Sequence, residues 1–165
     1  MDTTLAKGTP FAPSEETARA YRTALGQFAT GVTIVTCDSA DGPMGMTANS
    51  FSSVSLDPAL VLWSPAKTSQ RHESFVSARH YAIHVLTSDQ ADLCNAFAKE
   101  PHAFDKADWM LNTQNVPLLQ NCLARFECTQ YAVHDAGDHS IILGQVDLVS
   151  QNEGTPLIFA QGNIL

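Results

Sequence analysis

The hydrophobic positions of the chain follow a helical spacing near the amino terminus and change to strand-like patterns from residue 32 onward. An amphipathic helix is predicted by apolar residues that recur at intervals of three and four positions: Ala18, Tyr21, Ala24, Leu25 and Phe28. Ser14 can cap this helix and Gly31 ends it. Residues 1–13, which contain Gly8 and two prolines, are predicted to form a flexible arm.

Strands dominate the rest of the chain. Seven segments have the β-branched composition or the alternation that predicts a strand: 32–37, 45–50, 59–64, 81–86, 122–134, 140–149 and 157–160. The segment 59–64 is continuously apolar, which favours burial on both faces. Two helices are predicted at 70–78 and 88–98, the second capped by Ser88, whereas residues 99–117 show no regular period.

The turns between these strands predict the architecture. Asp41-Gly42-Pro43 and Ala136-Gly137-Asp138 are turn sequences that join consecutive strands into hairpins. Strands outnumber helices, so we expect a mainly β fold, an antiparallel barrel with peripheral helices. No Gly-x-Gly-x-x-Gly follows a predicted strand, and a Rossmann dinucleotide site is therefore not supported.

Composition sets limits on the function. The 165 residues suit one domain, predicted at 14–165, and 44% apolar residues are enough for a core. The net charge of −8 argues against nucleic acid and membrane surfaces as partners. We find no signal peptide and no apolar run long enough to span a bilayer, and we expect a cytoplasmic protein. Its four cysteines, without a Cys-x-x-Cys pair, are expected to be buried, and no metal site is predicted.

One polar segment stands out from its apolar surroundings. Residues 46–58 contain Thr47, Asn49 and four serines, at a density that requires hydrogen-bond partners inside a core-forming region. The partners can be internal, in turns and strand edges, or they can belong to a ligand rich in donors and acceptors. Spacing alone slightly favours the internal solution.

Two further segments have the residue types of a binding site. Lys67-Thr68-Ser69-Gln70-Arg71-His72 places two cations at the start of a predicted helix, an arrangement that suits a phosphate. Gly137-Asp138-His139 places an imidazole at a hairpin. Considered alone, each of these two segments is more often an ordinary surface loop than part of a binding site.

Together these pieces resemble the flavin reductase-like family, the small reductase components of two-component flavin-dependent monooxygenases. The resemblance covers about residues 21–162. Its matching stretches are 26–36, Gly45 to Pro58, Phe97-Ala98, Gly137-Asp138-His139 and Pro156-Leu157 with Gly162 beyond.

The resemblance implies an antiparallel, Greek-key-like, FMN-binding split β-barrel that forms a homodimer and reduces FMN or FAD with NADH or NADPH for a separate monooxygenase. It implies that His139 lies beside the nicotinamide. It also implies that the flavin site and its closing segment comprise Thr47, Ala48, Asn49, Ser50, Phe51, Ser53, Val54, Lys67, Thr68, Ser69, Gln70, Arg71, His72, Ser74, Phe97, Ala98, Phe159, Ala160, Gln161 and Gly162.

The chain departs from the family pattern in two places. Ile164 stands where relatives often have an aromatic residue, and Phe104-Asp105-Lys106 only approximates an Asp-Arg-Phe. Two other functions remain open from the sequence. One is a flavin-binding electron carrier without enzymatic activity, and the other is a reductase of another acceptor, such as ferric chelates.

Overall fold

The fold is known from a computed structural model that describes residues 8–165. Of the arm predicted for 1–13, residues 1–7 lie outside the described part, and residues 8–13 form neither helix nor strand. Three α-helices are present in the described chain: α1 (Ala18–Leu25), α2 (His72–Ser77) and α3 (Ala91–Lys99). None of the helices within residues 8–165 is long and apolar enough to cross a membrane.

Twelve strands are the main elements of the described chain. They are β1 (Thr30–Gly31), β2 (Thr33–Ser39), β3 (Gly42–Ala48), β4 (Ser52–Leu56), β5 (Ala59–Trp63), β6 (His80–Val85), β7 (Trp109–Leu111), β8 (Pro117–Leu119), β9 (Ala124–Ala136), β10 (His139–Gln151), β11 (Ile158–Ala160) and β12 (Asn163–Ile164). Seven form one sheet in the order β3-β2-β6-β9-β10-β5-β4, and every pairing in it is antiparallel. The expectation of a mainly β, antiparallel fold is confirmed.

The long β9–β10 hairpin is the clearest success of the sequence patterns. His139 pairs with Ala136 across the turn, and Gly137 takes a φ of +69°, a conformation that glycine adopts without strain. The prediction for 59–64 was wrong in one respect: only Val61 and Trp63 of β5 are buried, whereas the other three residues of the strand are partly or fully exposed. The reason is that one face of β5 covers the core while the other faces outward.

The helix predicted at 88–98 starts differently from the prediction. Thr87, not Ser88, is the capping residue, since it exchanges hydrogen bonds with Gln90 in a capping box. The first turn, Ser88–Gln90, is a 3-10 helix, and α3 begins only at Ala91. Both Ser and Thr are favoured as helix caps, so the local sequence does not decide between the two positions.

The segment 99–117, for which no regular structure was predicted, contains a 3-10 helix (Ala103–Lys106) and the small β7–β8 hairpin. Phe104 anchors it: this buried ring contacts Phe97 at 4.9 Å and Trp109 at 5.0 Å between centroids. The elements are too short for a periodic signal, and the contact between Phe104 and the distant Phe97 arises only in the folded protein.

The four cysteines are free thiols and are buried, as expected. Burial raises the pKa of the Cys37 and Cys128 thiols to about 12. At neutral pH they are therefore unreactive thiols that act as small apolar residues.

His84 is a polar group at the centre of the sheet. Its Nδ1–H donates to the carbonyl of Ile34 at 2.9 Å, and its Nε2 accepts the N–H of Leu119 at 3.0 Å. Complete burial lowers the pKa of His84 to about 3. The neutral ring thus joins β8 to the neighbouring strands β2 and β6 of the large sheet.

We expect His84 to make stability depend on pH. Its pKa is lower in the folded state than the ordinary value of about 6.5 in the unfolded chain, so acid favours unfolding. The contribution is complete above pH 6.5 and falls by about 1.4 kcal/mol per pH unit towards the folded pKa of about 3. Urea unfolding at several pH values between 7.5 and 5 measures this slope.

His84→Gln is the matched control, because glutamine keeps a donor and an acceptor but does not titrate in this range. Its unfolding free energy should depend less steeply on pH than that of the parent protein. Parallel slopes for the two proteins would contradict the assignment to His84.

Candidate functional site

A cavity of about 250 Å³ opens where the end of β3 meets α3 and the carboxyl-terminal strands. Its lining combines apolar and amide side chains: Val32, Thr47, Ala48, Asn49, Cys94, Asn95, Ala98, Phe159 and Ile164. We call this the first cavity. Five of its nine lining residues, Thr47, Ala48, Asn49, Ala98 and Phe159, are among those that the sequence singled out.

The polar groups of the first cavity differ in their availability. Thr47 donates its hydroxyl to the carbonyl of Cys94 at 2.7 Å, which ties β3 to α3. Within residues 8–165, the side-chain amides of Asn49 and Asn95 make no hydrogen bond. Thr47 therefore shapes the cavity, while two amides can meet a ligand edge that carries donors and acceptors.

The rest of the polar segment turns away from the first cavity. Ser50 accepts the N–H of Ser64 at 2.9 Å and lies 3.3 Å from its carbonyl, and Phe51 stacks on Phe126 with centroids 5.4 Å apart. Ser53 and Val54 lie exposed on β4, at the edge of the sheet. Both interpretations of the segment thus hold in part: 47–49 line a cavity, and Ser50 bonds internally.

Lys67 connects the loop before α2 to the β9–β10 hairpin. Its Nζ donates to Asp135 Oδ1 at 2.5 Å and to the carbonyl of Gly137 at 2.7 Å. Its own N–H donates to the carbonyl of Asp138 at 2.9 Å. These contacts hold the hairpin turn in place, and the hydrogen bond from Lys67 lowers the pKa of the Asp135 carboxyl.

His72 makes a second connection to the same hairpin. Its Nε2 lies 2.9 Å from the hydroxyl of Ser140, the residue after His139. Other residues of the loop contact mainly the loop itself: Ser69 accepts the N–H of Arg71 at 3.2 Å, and Thr68 and Gln70 are exposed. Ser74 is half-buried in α2 beside Cys37.

Arg71 extends in the opposite direction, towards α3. Its guanidinium donates to the carbonyl of Gly45 at 3.2 Å, to that of Phe97, and to that of Ala98 at 3.5 Å. Burial lowers the pKa of Arg71, but an arginine remains charged. A cation at the carboxyl end of a helix is favoured by the free carbonyls there, so Arg71 stabilises the end of α3 at the rim of the first cavity.

His139 lies at the start of β10, with its side chain 44% exposed. Its Nδ1 lies 2.7 Å from Asp138 Oδ1, and this contact lowers the pKa of the Asp138 carboxyl. Because a carboxylate can only accept, Nδ1 carries the hydrogen, and Nε2 is left to face a ligand.

The remaining predicted residues divide between core and surface. Phe97 is fully buried, and its ring packs against Phe104, so only its carbonyl reaches the site. Ala160 is half-buried in β11, next to Phe159. Gln161 and Gly162 form the turn between β11 and β12 and line a different cavity.

Sequence reasoning missed four lining residues of the first cavity, namely Val32, Cys94, Asn95 and Ile164. Asn95 and Ala98 are three residues apart on α3 and share a helix face, so the helical period could have indicated Asn95. Ile164 replaces the aromatic residue that the resemblance led us to expect, and it pairs with Phe159 across the terminal hairpin.

The loop 67–72 joins the two halves of this site. Arg71 bonds the α3 end beside the first cavity, while Lys67 and His72 bond the hairpin that carries His139. The geometry defines the class of protein as a mainly β, antiparallel fold with a cavity lined by apolar and amide side chains, next to a hairpin that carries His139.

Comparison with known proteins gives the family. Residues 25–164 match the flavin reductase like domain. The FMN reductase (NADH) SmoA of Agrobacterium fabrum is 54% identical over 152 residues, covering 92% of this chain and 87% of that protein. The reductase component of the flavin-dependent trigonelline monooxygenase of Acinetobacter baylyi is 48% identical, covering 78% of this chain but only 42% of the longer relative.

The solved structures agree with the sequence relatives. The Streptomyces globisporus NADH:FAD oxidoreductase SgcE6, in complex with NAD and FAD fragments, superposes with a TM-score of 0.87 at 33% identity and covers 94% of this chain and 96% of that chain. The chain belongs to the flavin reductase-like family, and the split-barrel fold expected from the resemblance is confirmed.

Proposed function

We propose that this chain transfers hydride from NADH or NADPH to FMN or FAD at the first cavity and supplies the reduced flavin to a separate flavin-dependent monooxygenase. The family and the 54% identical FMN reductase make it a flavin-reducing enzyme. The observation that supports this placement of the reaction is the loop 67–72, because its Arg71 contacts the carbonyl of Ala98 at the first cavity and its Lys67 bonds the turn before His139.

The lining of the first cavity suits a flavin ring. Val32, Ala48 and Phe159 provide apolar surface, and the amides of Asn49 and Asn95 provide hydrogen bonds for a polar edge. Its volume of about 250 Å³ is below the roughly 300–1,000 Å³ usual for ligand pockets. This small volume supports a site to which one chain contributes one wall.

Flavin supplies the ring nitrogen that accepts the hydride, and the protein contributes binding and orientation. Asn49 binds the ring edge. His139, held through Nδ1 by Asp138, directs Nε2 towards the nicotinamide nucleotide and positions it without acting as an acid.

Two variants should separate these roles. Asn49→Ala is expected to weaken flavin binding about 3- to 10-fold, the value of one neutral hydrogen bond, as measured by flavin fluorescence quenching. His139→Ala is expected to lower kcat/KM for NADH roughly tenfold, with little change in flavin affinity, in anaerobic assays of flavin bleaching.

His134→Ala is the matched control for His139, since His134 is an exposed histidine on the same hairpin. Unchanged kinetics in His139→Ala would exclude the role of His139 in positioning the nicotinamide nucleotide. Unchanged flavin affinity in Asn49→Ala would exclude the first cavity as the flavin site. A parent protein that binds flavin but does not oxidise NADH or NADPH would instead be a non-enzymatic flavin carrier.

We also propose that the chain forms a homodimer whose second copy completes the site. The long hairpin exposes three large apolar side chains: Tyr131 at 55%, Leu148 at 63% and Val149 at 57%. Apolar surface of this kind usually marks an interface. Together with the incomplete first cavity, it supports pairing through β9 and β10.

Light scattering coupled to gel filtration should give a mass near twice 17.8 kDa. Leu148→Glu should shift the protein towards the monomer and weaken flavin binding, because a buried charge at an interface is unfavourable. Leu148→Met, which keeps an apolar side chain, should remain a dimer. A monomeric parent protein with full activity would overturn the proposal.

A further inference from the structure

The chain after β5 stays paired with β10 up to the turn of the β9–β10 hairpin. Trp63, the last residue of β5, lies opposite Ile142, and in the same register Ala66 lies opposite His139. Side chains of directly opposed residues lie on the same face of an antiparallel pair. The register of β5 on β10 therefore sets which residues of the following loop lie beside the hairpin turn.

Both chain neighbours of His139 are anchored to this segment through the backbone. The N–H of Ser140 donates to the carbonyl of Pro65 at 3.1 Å. The N–H of Lys67 donates to the carbonyl of Asp138 at 2.9 Å. His139 thus lies between two residues whose backbone positions are fixed from outside the hairpin.

The side chain of Lys67 contacts the turn itself. Its Nζ donates to the carbonyl of Gly137 at 2.7 Å and to Asp135 Oδ1 at 2.5 Å. The ion pair with Asp135 alone would contribute little, because the carboxylate side chain is 82% exposed. Combined with the bond from the Lys67 N–H, however, these contacts hold the turn at three points within four residues.

Asp138 connects this turn to the imidazole. Its Oδ1 lies 2.7 Å from His139 Nδ1. The hydrogen bond from His139 and, to a smaller extent, the charge of Lys67 lower the pKa of the Asp138 carboxyl. Asp138 is therefore ionised at neutral pH and accepts the hydrogen of Nδ1. A displacement of the turn would move the carboxylate that orients the ring.

We propose that Lys67 is a positioning residue for hydride transfer, which holds the hairpin turn so that His139 faces the nicotinamide nucleotide. The proposal rests on the proposed function, because it assumes the role given there to His139. It assigns the Lys67 ammonium to the hairpin, whereas the resemblance implies that Lys67 belongs to the flavin site. Lys67 then acts on the reaction only through His139.

A double-mutant cycle tests whether Lys67 acts through His139. Lys67→Met keeps most of the apolar chain but removes the Nζ donors, and it should lower kcat/KM for NADH about 3- to 10-fold with FMN as the acceptor. In the His139→Ala background the same change should have no further effect, because no imidazole remains to be positioned. Effects that multiply in the double variant would overturn the proposal.

Flavin binding separates this role from phosphate binding. Lys67→Met should bind FMN as tightly as the parent does, and likewise riboflavin, which lacks the phosphate, as measured by fluorescence quenching. Lys67→Arg, which retains a cation, should recover most of the kcat/KM lost in Lys67→Met. Weaker binding of FMN alone in Lys67→Met would show that Lys67 holds the flavin phosphate and would overturn the proposal.

Lys106→Met is the matched control. Lys106 is also an exposed lysine with a carboxylate partner, Glu100 at 3.9 Å, and it lies outside the hairpin and the first cavity. Its replacement should leave kcat/KM for NADH unchanged.

The two proposals fail in different ways. If His139→Ala lowers kcat/KM for NADH while Lys67→Met equals the parent, the proposed function stands and this inference is wrong. If Lys67→Met lowers kcat/KM while His139→Ala does not, Lys67 acts by another route, and the inference is again wrong. A parent protein that does not oxidise NADH or NADPH would overturn both.

Discussion

Replacing Gly45 by alanine is expected to destabilise the protein by about 2–3 kcal/mol and to lower the midpoint of thermal unfolding by roughly 5–10 °C. A Cβ at this position would lie 2.5 Å from Cδ1 and from Cε1 of the Phe97 ring. Phe97 is fully buried against Phe104 and cannot turn away. The strain must therefore separate β3 from α3, the two elements that form the first cavity.

The same change should weaken flavin binding, because Thr47 to Asn49 follow Gly45 on β3 while Asn95 and Ala98 belong to α3. Gly31→Ala is the matched control, since a Cβ there meets no atom within 4 Å. Calorimetric unfolding and fluorescence titration measure the two effects. Equal unfolding midpoints for the two variants would show that α3 accommodates the methyl group and would refute the close-packing argument.

Arg71→Met is expected to destabilise the ligand-free protein by about 2–3 kcal/mol, because hydrogen bonds from a charged donor are the stronger kind. The change leaves the carbonyls of Gly45, Phe97 and Ala98 without the guanidinium they contact. Methionine is about as long as the aliphatic part of arginine and retains the apolar contacts of that part. Chemical unfolding without flavin measures this effect.

Arg79→Met provides the comparison, as Arg79 is exposed. If Arg71 only bound phosphate, its replacement would lower flavin affinity and leave the stability of the ligand-free protein unchanged. The resemblance alone implies a role for Arg71 on the phosphate side of the flavin, whereas the structure shows its guanidinium on backbone carbonyls. The unfolding experiment distinguishes these two roles, and equal stability of Arg71→Met and the parent would favour phosphate binding.

The sequence indicated which segments form the candidate site more reliably than it indicated what each side chain contacts. Asn49 lines the first cavity as a residue of the polar segment, but Ser50, the next residue, bonds Ser64 instead. Phe97 was expected to line the flavin, and its ring is in the core. Neighbours in a strand or helix point in different directions, so a matching motif does not fix which side chains face a ligand.

Local sequence patterns determined the elements whose formation depends on residues close together in the chain. Alternation and a turn glycine were enough for the β9–β10 hairpin, because both signals arise within a few residues. Helical spacing indicated α1 but not its ends: the N-cap is Thr17 rather than Ser14, and the C-cap is Gly26 rather than Gly31. The family motifs, Gly45 to Pro58 and Gly137-Asp138-His139, were readable in the same way.

Only the tertiary structure decided which distant residues meet. Arg71 caps α3, Lys67 holds the turn before His139, and Gln161 joins the end of α1, and each contact crosses at least 26 residues of chain. The cavity lined by Gln161 and Gly162 exists only because such contacts bring α1 to the terminal hairpin. These contacts depend on the packing of the whole sheet and its helices, for which a linear pattern carries no local signal.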